Sequence, residues 1–479
     1  MTDWLSDAPL FNAWREFVSA DSTPFTIPGH KRNAWSLHRD MARLLDSDVP
    51  LYGGLDSVKL TSGVLRTAER RGAELWGAAW CRYSTGGSTH ANQAICLALG
   101  QPGDTVLVSR TAHRSTLLGL VFAGLRPVWL PTEVDERFGV PSGLSVPAVE
   151  RALDDNPGAV GLLCVEPSYL GTISDLPKII EAAHRRAVPV VVDQAWGAHF
   201  GFAPDYPEHA VALGADAVVM SAHKTLPAYS QASILLANLE RIDPDRLDRA
   251  FEAANTTSPA GSILASIDAS RALLASTEGV ARLSDIAGLV ADIRTAVRSA
   301  GVLSPGPTDF ALGRFDPAKL VLLTAPAGRS GLDIEASLLE HGLPVEMADR
   351  DTVVPLVSMA DDGRSMAILR HELDEALAAG RETAVARPVS VAALWRHTAP
   401  QVCTPRQAFF AEHEIVGLSE AVGRTSAEVI APYPPGIPIM MPGEQITADT
   451  LSALMASLRA GSRIAYAADP SLKSVQVLS

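Results

Sequence analysis

At 479 residues, 47% of them hydrophobic and 20% charged, the chain can bury a large core in more than one domain and is excluded from wholesale disorder. A net charge of −14 argues against nucleic acid and anionic membrane surfaces as partners. The start, Met-Thr-Asp-Trp-Leu, is no signal peptide, and no apolar run approaches the about 18 residues that span a bilayer, so a cytoplasmic protein without membrane contact is expected.

Residues 1–60 read as an N-terminal arm, with a short helix at 10–18 and a stretch at 23–32 broken by two prolines and a glycine. A large domain is expected over 61–305. It opens with a helical face formed by Val64, Leu65, Ala68, Leu75 and Trp76. Ser84-Thr-Gly-Gly-Ser-Thr89 then precedes a helical stretch from His90. Small and hydroxyl residues before a helix leave its first N–H groups free for an anion, which makes the segment around Gly87 and Ser88 a candidate phosphate cup.

Short apolar runs follow at 105–108, 127–130, 160–165, 188–192, 217–220 and 233–237, with helical patterns between them such as 176–187. Continuous apolar strands separated by helices predict an α/β architecture with a mainly parallel sheet covered on both faces. Ligands in such sheets sit outside the carboxyl ends of the strands. Those ends carry His113, Glu166, Asp193, Trp196, His199, Ser221, His223 and Lys224.

A boundary is marked by Leu303-Ser-Pro-Gly-Pro-Thr308. Beyond it, apolar runs near 320–323 and 353–357 and helical patterns at 333–341 and 365–379 predict a smaller α+β domain over 306–479. Residues 387–404 read as a connector, and the proline-dense stretch 432–442 as a stiff loop. The cysteines Cys81, Cys96, Cys164 and Cys403 are scattered without a C-x-x-C pair, which suits reduced thiols and neither a disulfide framework nor a metal site.

The segment Ala217-Val-Val-Met-Ser-Ala-His-Lys224 places a lysine just past a buried strand. Such a lysine is desolvated, so its neutral amine can attack a carbonyl. Ser-x-His-Lys by itself also fits a surface lysine. The pairing with a second strand end, Val188-Pro-Val-Val-Val-Asp193, 31 residues before Lys224, points to pyridoxal 5'-phosphate (PLP). PLP needs a lysine for its Schiff base and a carboxylate that keeps its pyridine nitrogen protonated.

Taken together, these residues resemble the ornithine/lysine/arginine decarboxylase family of bacterial type, fold-type I PLP enzymes, in the short form without an N-terminal wing domain. The likeness is carried by PGHKR (28–32), EPSYLGTISDL (166–176), VDQAWGAHF (192–200), SAHKTL (221–226), TTSPAGSILASIDAS (256–270) and PYPPGIPIMMPGE (432–444). It implies an aspartate-aminotransferase-like large domain. It also implies decarboxylation of lysine, ornithine or arginine to a polyamine-type amine.

By the same resemblance Lys224 would carry the Schiff base, Asp193 would pair with the pyridine nitrogen, and His113 would stack on the ring. Trp196 would lie beside the ring hydroxyl. Ser88, Ser221 and N–H groups near Gly87 would hold the phosphate, with His223 next to it and to the reacting carbon. Thr257 would reach a neighbouring subunit's cofactor, making the active unit at least a homodimer. Glu444 would meet the distal cation of the substrate. Rival readings are a PLP aminotransferase or lyase acting on another amino acid, and a PLP-binding regulatory protein without turnover.

Overall fold

The computed structural model describes residues 3–20, 25–32, 37–51, 55–56, 63–379, 396, 398–433, 437–459 and 461–479. Most of the expected connector at 387–404, and residues 434–436 of the proline-dense loop, lie outside these.

The six expected apolar runs all become strands of one sheet, and a seventh joins them. In chain order the strands are β1 (Trp80–Ser84), β2 (Thr105–Ser109), β3 (Arg126–Leu130), a separate hairpin of β4 (Glu133–Asp135) and β5 (Val140–Gly143), then β6 (Leu162–Val165), β7 (Val190–Asp193), β8 (Ala217–Ser221) and β9 (Ser233–Ala237). The main sheet has the order β1-β9-β8-β7-β6-β2-β3, and β9 pairs antiparallel with both of its neighbours. Every other pairing is parallel.

Successive residues feed opposite cores. Val190, Val192, Val218 and Met220 pack on one face, and Val191, Ala217 and Val219 on the other. This is why the strand segments read as continuous apolar runs without alternation.

Helices α1 (Pro9–Ser19), α2 (Arg39–Leu45) and α3 (Val64–Trp76) precede the sheet. The arm is tied down, since Asp268 accepts the Leu10 N–H at 2.8 Å. Helix α4 (Gly87–Leu99) turns Ala91, Ala94, Ile95 and Ala98 into one of the two cores. Helix α5 (Arg114–Ala123) lies directly against it, which Gly119 permits: a Cβ there would meet Cys96 Sγ at 2.8 Å.

After residue 305 come β10 (Leu322–Leu323), β11 (Met347–Ala348) and β12 (Thr352–Val354), an antiparallel sheet in the order β10-β12-β11. Ala318, Leu320 and Val353 of this part share a core with the large sheet. Residues from 398 onward gather around a separate cluster that includes Ile430, Ile439, Met440, Leu454 and Val475.

Candidate active site

Strand β8 ends at Ser221 and continues into one helical turn, Ala222–Thr225, which carries His223 and Lys224. Its neighbour β7 ends at Asp193. Both ends open onto a cavity of about 520 Å³ that is also lined by Gly87, Ser88, His113, Trp196 and Ser221. The topology therefore brings together eight of the ten residues expected at the site.

Lys224 Nζ lies 4.4 Å from the Trp196 ring centroid. Burial pushes the Lys224 amine below the ordinary lysine value, while Asp193 and Glu346 partly oppose it. The net effect raises the fraction of neutral amine, the form that attacks carbonyls.

Asp193 is buried, and its carboxylate accepts from Asn92 Nδ2 at 2.8 Å and from the Ala195 N–H at 3.1 Å. Asn92 also donates to Ser115 Oγ at 3.0 Å, and that hydroxyl lies 2.8 Å from His113 Nδ1. The Ser115 N–H donates to the same nitrogen at 3.2 Å, so Nδ1 is an acceptor and the neutral His113 ring carries its proton on Nε2. One chain of hydrogen bonds thus orients both the strand-end carboxylate and the imidazole that faces the cavity. His223 is held differently: its Nδ1 donates to the Ala232 carbonyl at 2.9 Å, leaving Nε2 as the basic nitrogen. Burial holds His223 below the usual histidine value and so in the neutral form.

The candidate phosphate cup lies where α4 meets β8. No side chain caps the N-terminus of α4, and Ser88 Oγ lies 2.7 Å from Ser221 Oγ. Gly87 adopts φ +67° so that its own N–H can reach the Gln231 carbonyl at 2.9 Å, which aims the following turn at the cavity. An uncapped helix start with two hydroxyls, a buried carboxylate and a desolvated lysine form a donor set that fits PLP at both ends of the cofactor.

Two expected residues stand elsewhere. Thr257 is exposed and outside this cavity. Glu444 is 1% exposed and forms a buried ion pair with Arg110, Nη1 to Oε1 at 2.9 Å. It also accepts the Met441 N–H at 3.0 Å, so within the chain its charge is already matched, and it does not line the cavity. The carboxylate that the cavity presents is Glu346, whose Oε1 accepts from Tyr169 Oη at 3.0 Å. Tyr169 in turn packs edge-on against Trp196, with ring centroids 5.1 Å apart. Ser115 and Tyr169 belong to the strand-end segments 110–115 and 166–169 but carried no expected role, and Asn92 and Glu346 were missed. Of these two, Asn92 left a signal, because it follows Ser88 by one helical turn and so shares its face.

Comparison with known proteins agrees with this geometry. The family description "Orn/Lys/Arg decarboxylase, major domain" matches residues 8–305, and its C-terminal domain matches 390–464. The arginine decarboxylase of Halalkalibacterium halodurans is 33% identical over 98% of this chain and 97% of its own. That of Bacillus subtilis is 31% identical over 98% of both. Among solved structures, the lysine decarboxylase of Francisella novicida superposes with a TM-score of 0.84 at 19% identity, over 98% of this chain and 81% of the other. The chain belongs to the ornithine/lysine/arginine decarboxylase family.

Proposed function

We propose that the protein is a PLP-dependent decarboxylase that converts a basic amino acid to its amine and CO2. The observation that carries this reading is the placement of Lys224 and Asp193 at adjacent strand ends in one cavity that is also lined by a second carboxylate, Glu346. When bound, the cofactor supplies an electron sink for the bond between Cα and the carboxylate. The chain's residues bind, orient and move protons around it. Lys224, with its amine pushed toward the neutral form by burial, would be the residue that holds the cofactor. Asp193, fixed by Asn92 and the Ala195 N–H, keeps the proton on the pyridine nitrogen. His113 would cover the ring, and Ser88 and Ser221 would hold the phosphate. Lys224 would be the group placed to deliver a proton to Cα after CO2 leaves, and His223 Nε2, basic and unprotonated at rest, would do so only after first taking up a proton itself.

Glu346 is our candidate for the distal cation of the substrate, in place of Glu444. Tyr169 orients its carboxylate from the wall formed with Trp196. Arginine is our first choice among the three basic substrates, supported by the relatives named arginine decarboxylase. We further propose a homodimer in which Thr257 serves the neighbouring site, since it is exposed and does not line its own cavity. A place in polyamine formation and a cytoplasmic location fit an amine product and four free cysteines. Borohydride reduction, peptide mapping and a CO2-release assay across a panel of amino acids test the proposal. Pyridoxyl on Lys224 with release from basic substrates supports it. A label on a different lysine, or keto-acid products in place of CO2, overturns it.

A further inference from the structure

Only six of the 40 lysine and arginine residues are lysines. Arginine serves wherever a permanent charge suffices, whereas lysine is the cation whose charge state burial can move into the working pH range. Two of the six meet at one side chain. Lys319 Nζ lies 3.8 Å from the Trp196 ring centroid, and Lys224 Nζ lies 4.4 Å from the same centroid. Lys319 is 6% exposed, and its stem is sealed by Gly171, where a Cβ would meet Lys319 Cγ at 2.8 Å. With Trp196, His199, Asp316 and Glu346 it lines a second small cavity, which shares Trp196 and Glu346 with the first.

We infer that Lys319 is a positioning residue whose proton is coupled to that of Lys224, so that the Trp196 wall carries about one positive charge whichever of the two amines holds it. When Lys224 loses its N–H proton to become a nucleophile, Lys319 takes one up and the local charge is kept. The inference deepens the proposed function and rests on Lys224 being the Schiff-base lysine.

The surroundings support coupling. Burial pushes the Lys319 amine down to about 8, with Lys224 adding to the fall and Asp316 and Glu346 opposing it. Asp316 belongs to the same turn, and its Oδ1 lies 3.2 Å from His199 Nε2. Glu346 comes from the segment leading into β11, and the Tyr169 ring centroid is 5.7 Å from Lys319 Nζ. The indole attracts either ammonium, but two like charges in one desolvated wall disfavour each other.

The test uses the full-length, cofactor-free protein with lysine labelled with 13C at Cε, where six lysines keep the NMR spectrum assignable. In wild type the Lys319 resonance is expected to titrate near 8, and that of Lys224 to show two inflections. Lys224→Ala should move the Lys319 midpoint up by about one pH unit, a tenfold change, while Lys224→Arg, which keeps the charge, should hold it down. A Lys319 midpoint that coincides in Lys224→Ala and Lys224→Arg overturns the inference. If either variant fails to fold, a single inflection for Lys224 in the wild type overturns it equally. Peptide mapping of the reduced holoenzyme is a separate readout: a label elsewhere than Lys224 defeats the proposed function, whereas unlinked titrations with Lys224 labelled defeat only the coupling.

Discussion

Asn92 Nδ2 donates to Asp193 Oδ2 at 2.8 Å, from the second turn of α4 to the end of β7. In the proposed function Asp193 would have to be ionised and correctly aimed to hold a proton on the cofactor, and Asn92 is a side chain that aims it. Asn92→Ala removes a hydrogen bond to a charged group, worth about 1.5–3 kcal/mol. We expect kcat to fall about tenfold to a hundredfold with the cofactor still bound. Visible absorbance of the purified variant beside its steady-state CO2 release measures both; wild-type kcat would show that the Ala195 N–H alone suffices.

Glu346→Gln should raise KM for lysine, ornithine or arginine while sparing an uncharged analogue of similar length. The loss of a charge-assisted contact predicts a drop of about tenfold to a hundredfold in kcat/KM for the charged substrates alone. Equal losses on both substrate types would remove Glu346 from recognition of the cation.

The Arg110 and Glu444 pair predicts a different signature. Arg110→Ala strands a buried carboxylate and should cost about 3–5 kcal/mol of stability, read from urea unfolding. Glu444→Gln keeps an acceptor for the Met441 N–H and should cost less. What activity Glu444→Gln loses should be lost alike on charged and uncharged substrates, in contrast to Glu346→Gln.

His209 gives a pH dependence. Its ring is 4% exposed, with Nε2 at 3.2 Å from Met220 Sδ, and burial pushes it from the usual 6.5 down to about 3. Above 6.5 the ring is neutral folded or unfolded, and stability is unaffected. As pH falls below 6.5 the unfolded chain takes up a proton that the folded chain refuses until about 3, so stability is lost across that window. At pH 5 the loss is about 2 kcal/mol. His209→Asn, whose side chain can still accept the Val211 N–H, should show a shallower decline of Tm between pH 7 and about 4 than wild type.

The sheet was legible because strands buried on both faces leave unbroken apolar runs, and those of β2, β3, β6, β7, β8 and β9 need no context to be seen. Strand β1 was missed because Trp80-Cys-Arg-Tyr-Ser84 carries Arg82 at its centre. The folded chain accommodates that charge by pairing Arg82 with Asp248 at 2.6 Å and laying it over Trp80. Lys224 and Asp193 were legible because each closes an apolar strand. Glu346 was not, since nothing local says that the approach to β11 returns to the mouth of β8. The partner of Glu444 was not legible for a related reason: Arg110 lies 334 residues away in the chain, and only the fold brings them together.

That distant pair has a consequence for how such a pocket can be altered. Arg110 stands three residues before His113, and Glu444 closes the segment whose other end supplies Tyr433 and Ile437 to the cavity wall. The cavity wall formed by Tyr433 and Ile437 is thus hung from a bolt that also steadies the loop leading to His113. Exchanging Tyr433 or Ile437 for a larger or smaller side chain would alter the room at this end of the cavity without touching Lys224 or Asp193, provided the bolt is left in place.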